Sequence, residues 1–219
     1  HSIAIFTRDA NAGGLAFAGV VTDGAGGVDG LAGIDKVVVS PDGKHVYASG
    51  GIDDAVAVFG RNATTGALSF VEREKDGEGG VSNLDNPQGL ALSPDGAHLY
   101  VAAFFSGAVV RFDRNATTGA LTFAGFNDTG FDNSGLQTPE GVTVLPDGTA
   151  VFLATGSNDE IHAFQRDRVT GALSWRDDIS DPSSPGLQGV NFLAPSRDSR
   201  YVIAASRDSG AVTVFRWDG

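Results

Sequence analysis

Residues 89–126 read GLALSPDGAHLYVAAFFSGAVVRFDRNATTGALTFAGF. Four apolar runs, GLALS, HLYVAAF, AVVRF and ALTFAGF, are separated by PDGA, SG and DRNATTG. Each run is short and rich in Val, Phe and Tyr, and each gap carries Gly, Pro, Asp or Asn, which is the pattern of strands joined by tight turns. In PDG, Pro presets φ and Gly supplies the left-handed conformation that closes a hairpin. The stretch therefore predicts a four-stranded antiparallel meander.

The same stretch recurs along the chain. SPDGKHVY starts at Ser40, SPDGAHLY at Ser93, LPDGTAVF at Leu145 and the degenerate SRDSRYVI at Ser196, and their aspartates Asp42, Asp95, Asp147 and Asp198 are 53, 52 and 51 residues apart. A second marker, the segments ending at Phe6, Phe59, Phe112, Phe164 and Phe215, keeps the same period with steps of 53, 53, 52 and 51. Two independent markers with one period establish tandem repeats, placed at about 7–59, 60–112, 113–164 and 165–215. A four-stranded meander cannot bury both faces alone, and units of this length stack around an axis. The expectation is an all-β fold, one β-propeller domain over 1–219 with four to five blades of four antiparallel strands. Either the terminal strands pair to close a small ring, or the blades belong to a larger ring whose open faces favour self-association.

Composition narrows the partners. The formal net charge is −12, and the only lysines are Lys36, Lys44 and Lys75. Such a surface repels phosphate backbones and anionic lipid, which disfavours nucleic-acid and membrane-surface binding. No run approaches the roughly 20 apolar residues that span a bilayer. The absence of cysteine removes disulfides, thiolate metal sites and cysteine nucleophiles. A small polar ligand, a sugar or another protein is the expected partner, and the expected location is extracellular or periplasmic.

The combination of VVVSPDGKHVYAS from Val37, DDAVAVF from Asp53 and RNATTGALSF from Arg61 resembles the lactonase-like β-propeller family, which includes 6-phosphogluconolactonases. The resemblance covers nearly the whole chain. It implies a propeller, usually of seven blades, with channel-facing side chains a few residues before the SPDG turn. Seven residues before each turn aspartate stand Asp35, Gln88, Glu140 and Asn191. All four are polar, and they are predicted to ring one mouth of the axial channel as a ligand-binding site. Hard oxygen donors of this kind suit Ca²⁺ as the cofactor, if any. None is basic, whereas a developing oxyanion needs cationic or N–H donors. The residues therefore favour a non-catalytic binding or interaction module with no catalytic residue assigned. A lactonase-type hydrolase is the alternative, and a carbohydrate-binding propeller a second.

Other features carry less. The linker acids Asp23, Asp29, Asp76, Glu78, Asp85 and Asp128 lack the spacing of an EF-hand and suit solvated turns. His45 and His98 occupy equivalent positions, which points to blade structure rather than catalysis. Asn62, Asn115 and Asn127 match the N-glycosylation acceptor pattern in predicted hairpin loops. Trp175 and Trp217 are expected to pack in the core or on a blade face.

Overall fold

The computed structural model describes residues 1–128, 138–180 and 186–218. Its strands form five antiparallel sheets that follow one another along the chain. The first holds only β1 (Ser2–Arg8) and β2 (Leu15–Thr22). Three four-stranded sheets follow: β3 (Ile34–Val39), β4 (His45–Gly50), β5 (Ala55–Arg61) and β6 (Leu68–Lys75); β7 (Pro87–Leu92), β8 (His98–Ala103), β9 (Ala108–Arg114) and β10 (Leu121–Asn127); β11 (Pro139–Val144), β12 (Ala150–Thr155), β13 (Glu160–Arg166) and β14 (Leu173–Ser180). The fifth holds β15 (Val190–Pro195), β16 (Tyr201–Ser206) and β17 (Ala211–Arg216). Each sheet is a meander with strands in sequence order, as the repeat predicts. No helix among the described residues is long and apolar enough to cross a membrane.

The blades pack face to face around their innermost strands, with β7 against β3 and β11, and β11 against β15. The second strand of each complete blade, β4, β8 and β12, is buried along its whole length, because neighbouring blades cover both its faces. This is why HVYASG, HLYVAA and AVFLAT carry almost no polar alternation. At the two ends of the row the strands lose this cover. In β16 burial alternates, and in β17 Val212 and Val214 are 71% and 58% exposed, as are Leu15 and Phe17 of β2 at 69% and 66%. Among the described residues the terminal strands do not close a small ring: β1 pairs with β2 alone, and β17 with β16 alone. Both are third strands, so joining them would leave one surplus.

A polar clasp locks adjacent blades. Arg114, at the end of β9, donates from Nη1 to Gly96 O of its own turn at 2.9 Å. It then reaches back one blade, with Nε to Tyr47 Oη at 2.7 Å and Nη2 to Asp42 Oδ2 at 2.9 Å, beside His45 Nδ1 at 2.8 Å. Tyr47 Oη in turn donates to Gly119 O at 2.8 Å. One blade later the arrangement is repeated by Arg166, Tyr100, Asp95, His98 and Gly171. Charge-assisted bonds of this kind suit a buried guanidinium, whose fork needs several acceptors. Burial would raise the Asp42 carboxyl, but the Ser40 hydroxyl, then Arg114 and the Lys44 amide, hold it well below the usual carboxylate range. At the next interface three members change together while the turn aspartate, Asp147, stays: Phe152 replaces the tyrosine, Ala150 the histidine and Trp217 the arginine. The two rings meet edge to face at 4.9 Å.

Candidate functional site at the channel mouth

Asp35, Gln88, Glu140 and Asn191 are each the second residue of an inner strand: β3, β7, β11 and β15. In each strand the pairing register breaks there, between Ile34 and Val37, Pro87 and Gly89, Pro139 and Gly141, and Val190 and Phe192. A bulge leaves one residue without a cross-strand partner and re-aims its side chain. In β3 it frees two residues, Asp35 and Lys36. Repetition of the bulge turns four polar side chains out of their ladders toward the axis.

All four line one cavity of about 250 Å³, together with Lys36 and Phe192. Lys36 Nζ of β3 sits 4.7 Å from the centre of the Phe192 ring of β15, so the first and fourth inner strands meet across the channel through a cation–π contact. The inner strands approach closely because Gly89 and Gly141 have no side chain. A Cβ on Gly89 would lie 2.6 Å from Glu140 O, and one on Gly141 2.7 Å from Asn191 O. Two adjoining cavities open on the same mouth. One of about 520 Å³ shares Gln88 and Glu140 and adds Ser157, Asp159, Arg207 and Asp208. The other, about 650 Å³, shares Asp35 and Gln88 and is bordered by Asp54, Asp85 and Phe105.

Glu140 is the chemically distinct group. Its side chain is only 16% exposed, and burial pushes its carboxyl up, with Asp208 acting in the same direction. Arg207, whose Nη1 lies 3.8 Å from Glu140 Oε2, and a hydrogen bond from Asn191 oppose the rise. Arg207 is itself held by Asp208 at 3.1 Å. The result is a carboxylate of raised basicity beside a cation, at the edge of an open cavity. The site thus has two cations, Lys36 and Arg207, although the four aligned positions have none. Arg207 starts the turn between β16 and β17, where the other blades carry Gly51, Phe104 and Gly156. Its only sequence signal is that irregularity among repeats.

Other candidates have structural employment. His45 and His98 belong to the inter-blade clasps, as their equivalence predicts. His162 bridges Asp178 at 2.6 Å and Thr155 Oγ1 at 3.1 Å, which looks like a nucleophilic triad. Thr155 is fully buried, however, and its hydroxyl also donates to Glu160 O, so no substrate carbonyl reaches it. The carboxylates of Asp23, Asp29 and Asp53 lie within 4.8 Å of one another. Each already has a partner: Leu31 N on Asp23, Ala32 N on Asp53 and Arg73 on Asp29. Asn62 and Asn115 accept from the amides of the following threonines in exposed turns. Asn127 Nδ2 donates to Leu173 O in the next blade. Thr129 of its acceptor pattern lies outside the described residues. Trp217 packs on Phe152 as expected, whereas Trp175 is 46% exposed on outer strand β14 and donates from Nε1 to Asp178.

Residues 1–132 match the family model described as Lactonase, 7-bladed beta-propeller. The chain belongs to this lactonase family. It is 35% identical over 85 residues to the 6-phosphogluconolactonase of Bacillus subtilis (strain 168), a span of 38% of this chain and 22% of that protein. Among solved structures it is similar to a candidate 6-phosphogluconolactonase from Bacteroides uniformis, with a TM-score of 0.80 and 20% identity over 99% of this chain and 61% of the other. A second, from Bacteroides fragilis, gives a TM-score of 0.67 and 25% identity over 82% of this chain and 49% of the other. The chain thus spans under a quarter of the curated relative and about half to three-fifths of these two solved structures. Family membership moves the balance from the non-catalytic module favoured by the sequence to the lactonase alternative. The argument for the module rested on missing cations, and Lys36 and Arg207 supply them from positions outside the aligned register.

Proposed function

We propose that this chain carries a lactone-hydrolysing surface at the channel mouth, with Glu140 as the proton-transfer group and Arg207 as the oxyanion partner. The observation that carries this reading is the partly buried Glu140 carboxyl, raised in basicity and 3.8 Å from Arg207. Water adds to the lactone carbonyl carbon as Glu140 accepts its proton. The oxyanion that forms is stabilised by the Arg207 guanidinium. Collapse of the intermediate breaks the bond to the ring oxygen, which takes the proton back from Glu140 and leaves as the hydroxyl of the product hydroxy acid. Gln88, Asn191 and Ser157 offer hydrogen bonds to ring hydroxyls, and Lys36 adds a second positive charge opposite.

Proton release from glucono-δ-lactone, followed against the spontaneous rate, tests the assignment. The parent chain accelerates hydrolysis, Glu140→Gln lowers the rate by about 10²-fold or more, and Arg207→Met by about 10²-fold. A parent rate equal to the spontaneous one overturns the proposal. Full activity in Glu140→Gln removes Glu140 from it.

A further inference from the structure

The turn between β8 and β9 reads Phe104-Phe105-Ser106-Gly107, where the other blades have Gly51-Ile52, Gly156-Ser157 and Arg207-Asp208 at its first two positions. Tight turns favour small or polar residues, so two adjacent phenylalanines are not there to make the turn. Nor are they core: Phe105 is 67% exposed, and its counterpart in the preceding blade, Ile52, is 72% exposed. The backbone beneath them is pinned. The amides of Phe104 and Phe105 donate to Asn86 O at 2.9 Å and Asp85 O at 3.2 Å, and Ser106 Oγ accepts from Asp85 N at 2.9 Å. The two rings are thus held at the mouth, edge to face, with centres 5.2 Å apart.

The pair joins two cavities of the mouth. Phe104 lines the cavity of about 520 Å³ that holds Glu140 and Arg207, and Phe105 lines the one of about 650 Å³ together with Ile52. Gln88 borders both. An apolar ledge therefore begins beside the carboxyl and guanidinium of the proposed reaction and runs outward along the rim. Acids flank it, Asp159 and Asp208 in the first cavity and Asp54 and Asp85 in the second. An anionic substituent placed there meets like charge, whereas a hydrocarbon one gains burial against the exposed rings.

We infer that Phe104, Phe105 and Ile52 form a subsite for an uncharged, apolar substituent of the substrate, an alkyl or aryl group carried by the lactone ring. The inference rests on the hydrolytic reading above and adds the substrate class to it. Phe104 shares the cavity of the reacting groups, so the substituent is attached directly to the ring, and Phe105 and Ile52 take its further carbons. The ledge is continuous with Glu140 and Arg207, which makes the substrate itself the occupant rather than a partner chain. Apolar contacts of this kind act on ground and transition states alike, so they show in KM more than in kcat.

The test compares hydrolysis of δ-decalactone, which carries a pentyl chain, with that of unsubstituted δ-valerolactone. The parent shows a kcat/KM about 10-fold or more higher for the pentyl compound, mainly through KM. Phe105→Ser, which takes its side chain from Ser157 at the same position of the next blade, removes most of that preference. A δ-lactone whose chain ends in a carboxylate shows no such gain. Equal kcat/KM for the two neutral lactones, a preference unchanged in Phe105→Ser, or an equal gain with the carboxylate chain overturns the subsite and leaves hydrolysis in place. Calorimetric titration with the lactam analogue of δ-decalactone reads the subsite without the reaction. Binding that Phe105→Ser weakens by about 10-fold supports the subsite even in a chain that turns over neither lactone, a result that would overturn only the reaction. No binding to the parent overturns the subsite. Light scattering supplies the remaining outcome: a dimer of the parent that Phe105→Ser dissociates would make a second copy the occupant and refute the assignment.

Discussion

Replacing Tyr100 by Phe removes one oxygen from the clasp between the second and third complete blades. That oxygen accepts from Arg166 Nε at 2.8 Å and donates to Gly171 O at 2.7 Å. Phe keeps the ring and its packing, so almost the whole effect is electrostatic. The Arg166 side chain is fully buried, so water cannot replace the lost acceptor. A hydrogen bond to a charged donor contributes about 1.5–3 kcal/mol, and a buried group left without its partner costs a similar amount. Arg166 retains Gly148 O and Asp95, which keeps the estimate near 2 kcal/mol. For a chain of this size that lowers the melting temperature by about 4–8 °C. The opposite exchange at the next interface, Phe152→Tyr, must also destabilise. Phe152 is 1% exposed and packs on Trp217, so a new hydroxyl there has no guanidinium to meet, at about 1–3 kcal/mol. Melting followed by far-ultraviolet circular dichroism reads both variants. A Tyr100→Phe protein melting within about 1 °C of the parent, or a Phe152→Tyr protein that melts higher, would refute the clasp as a source of blade cohesion.

Three more outcomes are expected. The pKa values of His45 and His98 are lowered by burial and then by Arg114 and Arg166, with Lys44 and Arg111 adding to this and Asp42, Asp95 and Asp113 opposing it. Below about pH 6.5 the unfolded chain therefore takes up protons more readily than the folded one, and the melting temperature falls from pH 7 to pH 5. A profile as flat as that of the His45→Asn/His98→Asn double variant would contradict this. For Glu140 the sign is reversed: its raised carboxyl contributes stability below its unfolded pKa, which is lost as pH rises through the folded value. Glu140→Gln should thus match or exceed the parent melting temperature at pH 7, an advantage that disappears near pH 4, and a clear loss at pH 7 would contradict the burial argument. Gly119→Ala forces a Cβ onto the His45 ring at φ +82°, whereas Gly66→Ala at φ +75° meets open space beyond Ile5. Urea denaturation should show the first variant clearly less stable than the second, and equal losses would show that backbone strain alone sets the cost.

Much of the scaffold is legible in the sequence because it is set by short-range chemistry repeated four times. The PDG turns, the short apolar runs between them and the regular spacing of Asp42, Asp95 and Asp147 place the strands. The shared position of His45 and His98 marks them as scaffold before their arginine partners are known. The partners themselves lie about 70 residues further on, and no local pattern links Tyr47 to Arg114. The channel residues are legible by position, since polar side chains interrupt otherwise apolar inner strands, but the bulges that aim them leave no compositional mark. Arg207 escapes for a different reason. Comparing repeats at one register position asks whether Asp35, Gln88, Glu140 and Asn191 include a cation, and the cation enters instead from a turn where the other blades have glycine or phenylalanine. Trp175, expected to pack, is 46% exposed on outer strand β14.

Two kinds of variation among equivalent positions separate what holds the blades from what acts in the channel. At the clasp, residues change together: tyrosine, histidine and arginine become phenylalanine, alanine and tryptophan at one interface. A buried guanidinium without its acceptors, or a buried hydroxyl without its donor, is costly. At the channel mouth each blade contributes a different group, an acid from β3 and β11, an amide from β7 and β15, and the guanidinium from the last turn. The bulged side chains line a cavity and meet the next blade at its wall, as where Asn191 and Arg207 hold Glu140. Different groups gathered within one cavity suit a single asymmetric ligand. A ligand bound equivalently by every blade would instead have kept these four positions alike. The irregularity that obscures the site in the repeat pattern is therefore the physical argument for one asymmetric ligand, such as the lactone proposed above, rather than a repeated binding pocket.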